Sequence, residues 1–294
     1  MHLKLTAADK SDVGKQREQN EDCAYTRIKI SNEGDLGLFI VADGMGGYKA
    51  GEVASELAIN TIHKELDNFF KPLSDQATIK LETWNRTKDA NAPSEDASQS
   101  TSSAQKTGKL PETPIMYAIE QQVIAAVQKA NEAIVHYGEQ QSGARGLGST
   151  VTAALIQNDR VCIANVGDSR TYLLRDDELT LLTKDHSLVA KLVESNQITQ
   201  EEVYTHPQRN LIYRSLGAGH KNIEVDIFHK TLRPGDKLLL CSDGLWEMVH
   251  HQDLLTIVRE HTSPQVICDK LIERANANGG EDNITAIVVH VSTH

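Results

Sequence analysis

Basic residues are in deficit: 30 lysines and arginines stand against 41 aspartates and glutamates, a net charge of −11. Such a chain lacks the basic face that a general nucleic-acid or anionic-membrane binder needs. The balance suits a protein that gathers carboxylates around cations, and suits equally one that is merely acidic for solubility. Cysteine is scarce. Cys23, Cys162, Cys241 and Cys268 include no CxxC pair, which excludes a zinc ribbon and a thioredoxin-like motif. Four cysteines in 294 residues are also too few for a disulfide scaffold. Cys162 and Cys241 fall inside apolar runs and read as small buried hydrophobes. No apolar run approaches the roughly 18–20 residues of a membrane span. The opening MHLKLTAADK has no long apolar stretch, which predicts no signal peptide. Together these absences predict a reducing, cytoplasmic setting. There is no internal repeat.

The length allows one large domain or two small ones, at roughly 100–200 residues each. Apolar residues, 39% of the chain, supply a sizeable core. Strand-like sequence at 23–30 is followed by a buried strand at 36–42 (LGLFIVA) that runs into Asp43-Gly44. Helical spacing of Val53, Leu57, Ile62, Leu66 and Phe69 predicts a helix over 50–70. A second stripe, Ile119, Val123, Val127, Ala130 and Ile134, predicts one over 114–140. Between them the composition shifts. Residues 85–113 carry Leu110 as their one large aliphatic, too little to offset the entropy of ordering, and read as a mobile insertion. A plain linker is the favoured reading of that insertion; a phosphorylated regulatory segment is the sharper one.

From Ser149 onward short strands follow quickly: STVTAALIQ, RVCIANV, SRTYLLR and ELTLL. Residues 186–215 have helical stretches and a Thr-His-Pro turn. Strands return at 223–228 and 237–242, a helix near 264–278, and a last strand at 283–291. Helices and antiparallel strands are segregated, so the class is α+β.

Acidic residues sit at the ends of apolar strands. Asp43 ends LFIVAD, Asp243 ends LLLCSD, Asp282 precedes the last strand, and Glu21-Asp22 precede the strand near Cys23. Strand ends of one sheet lie close together, and carboxylates gathered there repel unless protons or cations compensate. Hard divalent cations, with their taste for oxygen ligands, are natural compensators. A single strand-end aspartate is more often a turn former or a cap; several together carry the signal. Asp43 opens DGMGGYKAG, a glycine-rich turn. It is not a P-loop, because no Gly-Lys-Ser/Thr follows. Nor is it a dinucleotide fingerprint, because Lys49 stands where the third glycine belongs.

In order along the chain stand Arg17-Glu18-Gln19-Asn20-Glu21-Asp22, Val41-Ala42-Asp43-Gly44-Met45-Gly46-Gly47, Gly148-Ser149-Thr150, Asn165-Val166-Gly167-Asp168-Ser169-Arg170, Asp185-His186, Cys241-Ser242-Asp243-Gly244-Leu245 and Gly280-Glu281-Asp282-Asn283-Ile284-Thr285. This set resembles the metal-dependent protein phosphatases of type 2C, in particular their compact bacterial serine/threonine members. The resemblance covers nearly all of the chain outside 71–113. It implies a single domain over 1–294: a sandwich of two antiparallel β-sheets flanked by helices on both outer faces, with a flap at 186–215. It further implies two Mn²⁺ or Mg²⁺ ions in a cleft at one end of the sandwich. Carried over, Asp43 bridges the metals, the Gly44 carbonyl ligates one, and Asp243 and Asp282 hold the other. Glu21 and Asp22 contribute directly or through water, and Arg17 binds the substrate phosphate, for which a forked guanidinium is suited. The implied reaction is attack of metal-activated water on phosphoserine or phosphothreonine.

Several departures follow. Met45 stands where some members have a histidine read as general acid, so leaving-group protonation falls to metal-bound water or to a group such as His63 or His206. Asp185 matches one of two aspartates that hold a third, weaker metal in many bacterial members. The other is missing, since Gly146-Leu147 precede Gly148. Asp168 reads as structural and His250-His251 as solvated surface. Cys268 and Arg274 have tyrosine-phosphatase spacing, but lie in an amphipathic pattern without a glycine loop. The expected partners are phosphorylated proteins and a cognate serine/threonine kinase, with no nucleic acid and no membrane span, and the chain is expected to be a monomer. The alternatives are a metal-dependent hydrolase of small phosphate esters and a catalytically silent phosphoprotein-binding module.

Overall fold

The computed structural model describes residues 2–46, 50–71, 114–141, 146–219 and 222–293. The insertion expected at 85–113 and residues 47–49 of the glycine-rich turn lie outside them. The strands are β1 (Leu3–Asp12), β2 (Asp22–Lys29), β3 (Leu36–Met45), β4 (Gly148–Ser149), β5 (Val151–Gln157), β6 (Arg160–Val166), β7 (Arg170–Arg175), β8 (Glu178–Leu181), β9 (Leu216–Gly217), β10 (Asp226–Thr231), β11 (Lys237–Cys241) and β12 (Ile284–Thr293). The helices are α1 (Ala50–Glu65), α2 (Pro114–Gln140), α3 (Leu188–Glu194), α4 (Asp243–Trp246), α5 (His251–Glu260) and α6 (Pro264–Ala277). One sheet has the order β1-β12-β11-β7-β8; the other has β10-β6-β5-β3-β4-β9, with β2 also on β3. All pairings are antiparallel.

Side-chain alternation explains why the central strands are apolar on both faces. In β3, Leu38, Ile40 and Ala42 pack against α1 and α2, while Phe39 and Val41 enter the layer between the sheets. In β11, Leu239 and Cys241 meet the helices on the other side, while Leu238 and Leu240 enter the same middle layer. β12 divides likewise, with Ala286 and Val288 outward and Ile287 and Val289 inward. The result is helices, sheet, sheet, helices, with three apolar layers between them. Cys162 and Cys241 are buried, as their surroundings predict.

Three local differences from the sequence reading have physical causes. The helix expected to reach residue 70 ends at Glu65, and the chain tightens into a 3-10 turn, Asp67–Phe70, that buries Phe70 under the Arg27 guanidinium at 4.3 Å. The strand expected at 223–228 begins at Asp226, opposite Asn165. Its partner β6 ends at Val166, and Gly167 turns away at φ 107°, so 223–225 have no strand to pair with. α5 has no counterpart in the sequence reading; Leu254, Ile257 and Val258 bury one face of it. His250 and His251 at its start are exposed, as the sequence reading expects.

Phe39 is fully buried in the middle layer, its ring lying over Gly37. Phe39→Ala is expected to lower unfolding free energy by about 3–5 kcal/mol, read from urea denaturation. A loss below about 1 kcal/mol would contradict the middle layer as the principal core.

Candidate active site

The parity that sends Phe39 and Val41 between the sheets puts Asp43 at the end of the same face. Asp22 is its direct cross-strand partner. Like charges directly opposite one another are unfavourable. Asp243, the first residue of α4, follows β11, and Asp282 stands just before β12. The four aspartates thus converge at one end of the sandwich. Burial, with repulsion from Asp243, Asp22, Asp168 and Asp282, raises the Asp43 carboxyl well above the ordinary range. Asp22 is pushed up to about 7, chiefly by burial, against the pull of hydrogen bonds from Ser242 and Thr285. Asp243 also rises to about 7, through burial and repulsion from Glu247 and Asp282, partly offset by its contact with Asp43. Glu21 is raised by burial, partly offset by Arg17.

Short polar residues fix these acids. The Ser242 hydroxyl donates to Asp22 Oδ2 at 2.7 Å and accepts from the Thr285 amide at 3.0 Å. Thr150 bonds both backbone groups of Asp43: its Oγ1 accepts from the Asp43 amide and its amide donates to the Asp43 carbonyl. Asn283 ties the 13–21 loop to the cluster. Its Oδ1 accepts from the Glu21 amide at 2.8 Å, and its Nδ2 donates to the Val13 and Gln19 carbonyls. The Gly44 amide donates to the Glu21 carbonyl at 3.1 Å. A Cβ on Gly51 would stand 2.6 Å from Glu21 Oε1 and 2.8 Å from the Gly44 carbonyl oxygen, so glycine there lets those two oxygens face one small space. Arg17 Nη2 donates to Asp282 Oδ2 at 2.7 Å, and its half-exposed guanidinium stands at the rim.

The chemistry of this donor set is that of a hard cation site. Asp22 Oδ1 and Asp243 Oδ1 are buried oxygens without a hydrogen-bond partner. With the Gly44 carbonyl and the other carboxylates they form an all-oxygen set, which fits Mg²⁺ or Mn²⁺ and not a soft metal. Among the described residues, no three histidine, cysteine or acidic side chains are arranged as a finished cage. The cluster is a concentration of charge rather than a preset polyhedron.

Asp185 stands apart from this group. Both its oxygens accept from Arg170 Nε at 3.1 Å, and Oδ2 also accepts from Arg170 Nη2 at 2.6 Å, in a fully buried pair. The expectation of Asp185 as a third-metal ligand meets a carboxylate already occupied by a fork. His63 is stacked on Tyr25 at 4.7 Å, and His206 Nδ1 accepts from the Gln208 amide. Met45 pairs with Gly148.

One residue read as structural lies beside the cluster, and one link escaped the sequence reading. Asp168 is buried beside Asp243, and its carboxyl is raised well above the usual range by burial and by repulsion from Asp243 and Asp185. Glu247 accepts from Arg209 Nε at 3.1 Å, and Arg209 Nη2 donates to Glu281 Oε2 at 3.0 Å. Arg209 thereby joins the 186–215 segment to neighbours of Asp243 and Asp282. Spacing held one clue, since Glu247 follows Asp243 by four residues. The segment's own ends are closed by Leu188 N–H to the Leu211 carbonyl and Tyr213 N–H to the His186 carbonyl.

Comparison with known proteins gives the family and the fold. The family model for protein phosphatase 2C matches residues 60–284. The serine/threonine phosphatase stp of Listeria innocua is 36% identical over 286 residues, 97% of this chain and 95% of the relative. The crystal structure of the Mycobacterium tuberculosis serine/threonine phosphatase PstP/Ppp superposes with a TM-score of 0.75 at 34% identity, over 98% of this chain and 99% of that one. A second structure, the PstP catalytic domain in complex with two manganese ions, gives a TM-score of 0.73 at 33% identity, over 99% and 100%. With its ordered motifs, two-sheet sandwich and acidic cleft, the chain belongs to the protein phosphatase 2C family.

Proposed function

We propose that the chain is a protein serine/threonine phosphatase that hydrolyses phosphoserine and phosphothreonine monoesters with two bound Mn²⁺ or Mg²⁺ ions. The observation that carries this reading is the convergence of Asp22, Asp43, Asp243 and Asp282 with two buried, unpartnered carboxylate oxygens. The residues that would hold the metals are Glu21, Asp22, Asp43, Gly44 through its carbonyl, Asp243 and Asp282. The manganese-bound relative supports the choice of metal. When bound, such ions supply a nucleophilic water near neutral pH and offset phosphate charge.

The protein's own part is positioning. Arg17 Nη2 is engaged with Asp282 at 2.7 Å, which aims the fork across the cleft rim so that its other N–H groups can donate to phosphate oxygens. Asp43 is held through both backbone groups by Thr150, which fixes the strand end from which its carboxylate projects. Asn283 fixes the loop bearing Arg17 and Glu21 against Asp282. The residues form one domain, with 186–215 as a flap beside the cleft. Phosphoproteins are the substrates, and a kinase that makes the phosphoesters is the counterpart enzyme. Both of Asp185's oxygens are taken by Arg170, which argues for two cations rather than three.

Hydrolysis of a phosphothreonine peptide should require Mn²⁺ and stop in EDTA; equal release in EDTA would overturn the metal-dependent reading. Asp243→Asn is expected to cut kcat by roughly 10²–10³-fold with the fold retained. Full Mn²⁺-dependent activity in that variant would contradict its assignment as a ligand. Arg17→Ala is expected to raise KM for phosphopeptide about ten-fold, the effect of losing a charge-assisted contact. An unchanged KM would remove Arg17 from phosphate binding.

A further inference from the structure

Asp243 begins α4, a helix of four residues, and so short a helix cannot hold its own geometry. It is anchored by Leu245 and by Trp246, the last residue of that helix, both fully buried. Three contacts grip the indole. Nε1–H donates to the Asp168 carbonyl at 3.0 Å. The Arg170 guanidinium lies 3.5 Å from the ring centroid, itself fixed by the Asp185 fork and the Tyr172 hydroxyl. The Tyr204 ring stands 6.5 Å away, tilted by 57°. Asp168 and Arg170 belong to the sandwich, whereas Tyr204 belongs to the flap, in its 3-10 turn Glu201–Thr205. The neighbouring Val203 is buried in the same cluster as Leu245 and Trp246. Beyond Tyr204 lies a cavity of about 690 Å³ lined also by Arg170, Tyr172 and His250. The segment is therefore not packed against the sheet all round here, and Tyr204 itself lies between His250, on which it stacks at 3.9 Å, and Trp246. Arg209 adds a second link to the next residue, Glu247.

We infer that Tyr204 is a positioning residue for Asp243, acting through Trp246, so that seating of the flap and binding of the cations favour one another. This rests on the reading of Asp243 as a metal ligand. Coupling of this kind is reciprocal: whatever the seated flap adds to cation affinity, bound cations add to flap seating. Partners that orient a ligand from behind typically change metal affinity 10–100-fold when removed.

The test is isothermal titration of the full chain with Mn²⁺, joined to hydrogen exchange of the flap amides of Leu188 and Tyr213. Tyr204→Ala should bind Mn²⁺ about ten-fold more weakly, and Tyr204→Phe, which keeps the ring, should restore wild-type affinity. Mn²⁺ should slow exchange of the two amides in the wild type and in Tyr204→Phe, but not in Tyr204→Ala. A merely structural ring would lower stability without breaking that link. If Tyr204→Ala does not fold, Tyr204→Leu, which keeps apolar bulk without the planar ring, carries the same expectation. Equal affinity and equal metal-dependent protection in the folded variant and the wild type would overturn the inference and leave the metal site standing. Failure of the wild type to bind Mn²⁺ at all would overturn the metal site and the inference with it.

Discussion

The burial of Asp22, Asp43 and Asp243 beside Asp282, with the repulsion among them, sets the terms for one whole end of the molecule. Each carboxylate would be harmless alone in solvent. Brought to neighbouring strand ends, they lose water to burial and then repel one another, and Asp22 and Asp243 rise to about 7. Such a cluster is unfavourable to the apo fold, and a divalent cation is the compensator that its oxygen chemistry selects. Two buried oxygens without partners, Asp22 Oδ1 and Asp243 Oδ1, are the clearest trace of that requirement.

The surrounding structure serves to hold this charge in place. The three apolar layers give the strands rigid ends, and the strand parity that builds the core also directs Asp43 into the cleft. Ser242, Thr150 and Asn283 hold the Asp22 carboxylate, the Asp43 backbone and the Glu21 backbone. Glycine is required where atoms crowd: a side chain on Gly51 would fill the space shared by the Glu21 carboxylate and the Gly44 carbonyl. The 186–215 segment meets this frame from outside through Arg209, at Glu247 and Glu281, and through Tyr204, at Trp246.

Much of this was legible in the sequence, and the exceptions share a cause. α2 matches its expected bounds, 114–140, because its apolar stripe runs unbroken for the whole length. The acids were legible because they punctuate apolar strands. What escaped depends on partners remote in sequence. Ile223 and Val225 look like strand residues and pack as core, yet pairing waits for β6 to come alongside at Asn165. Asp185 reads as a free acid until Arg170, fifteen residues earlier, is seen folded back on it. Asp168 passes for a structural residue by motif and proves to be buried against Asp243 as well. α5 is ten residues long and polar on one side, so its stripe is too short to stand out.

The most direct test is the melting temperature of the unmodified chain in EDTA and across a Mn²⁺ titration. If mutual repulsion of the carboxylates is relieved by cations bound to the native state, Tm rises steadily with Mn²⁺ concentration above the binding constant. A melting temperature indifferent to Mn²⁺ would contradict the account at its centre, because the acidic cluster would then be stable without the ions that its chemistry calls for.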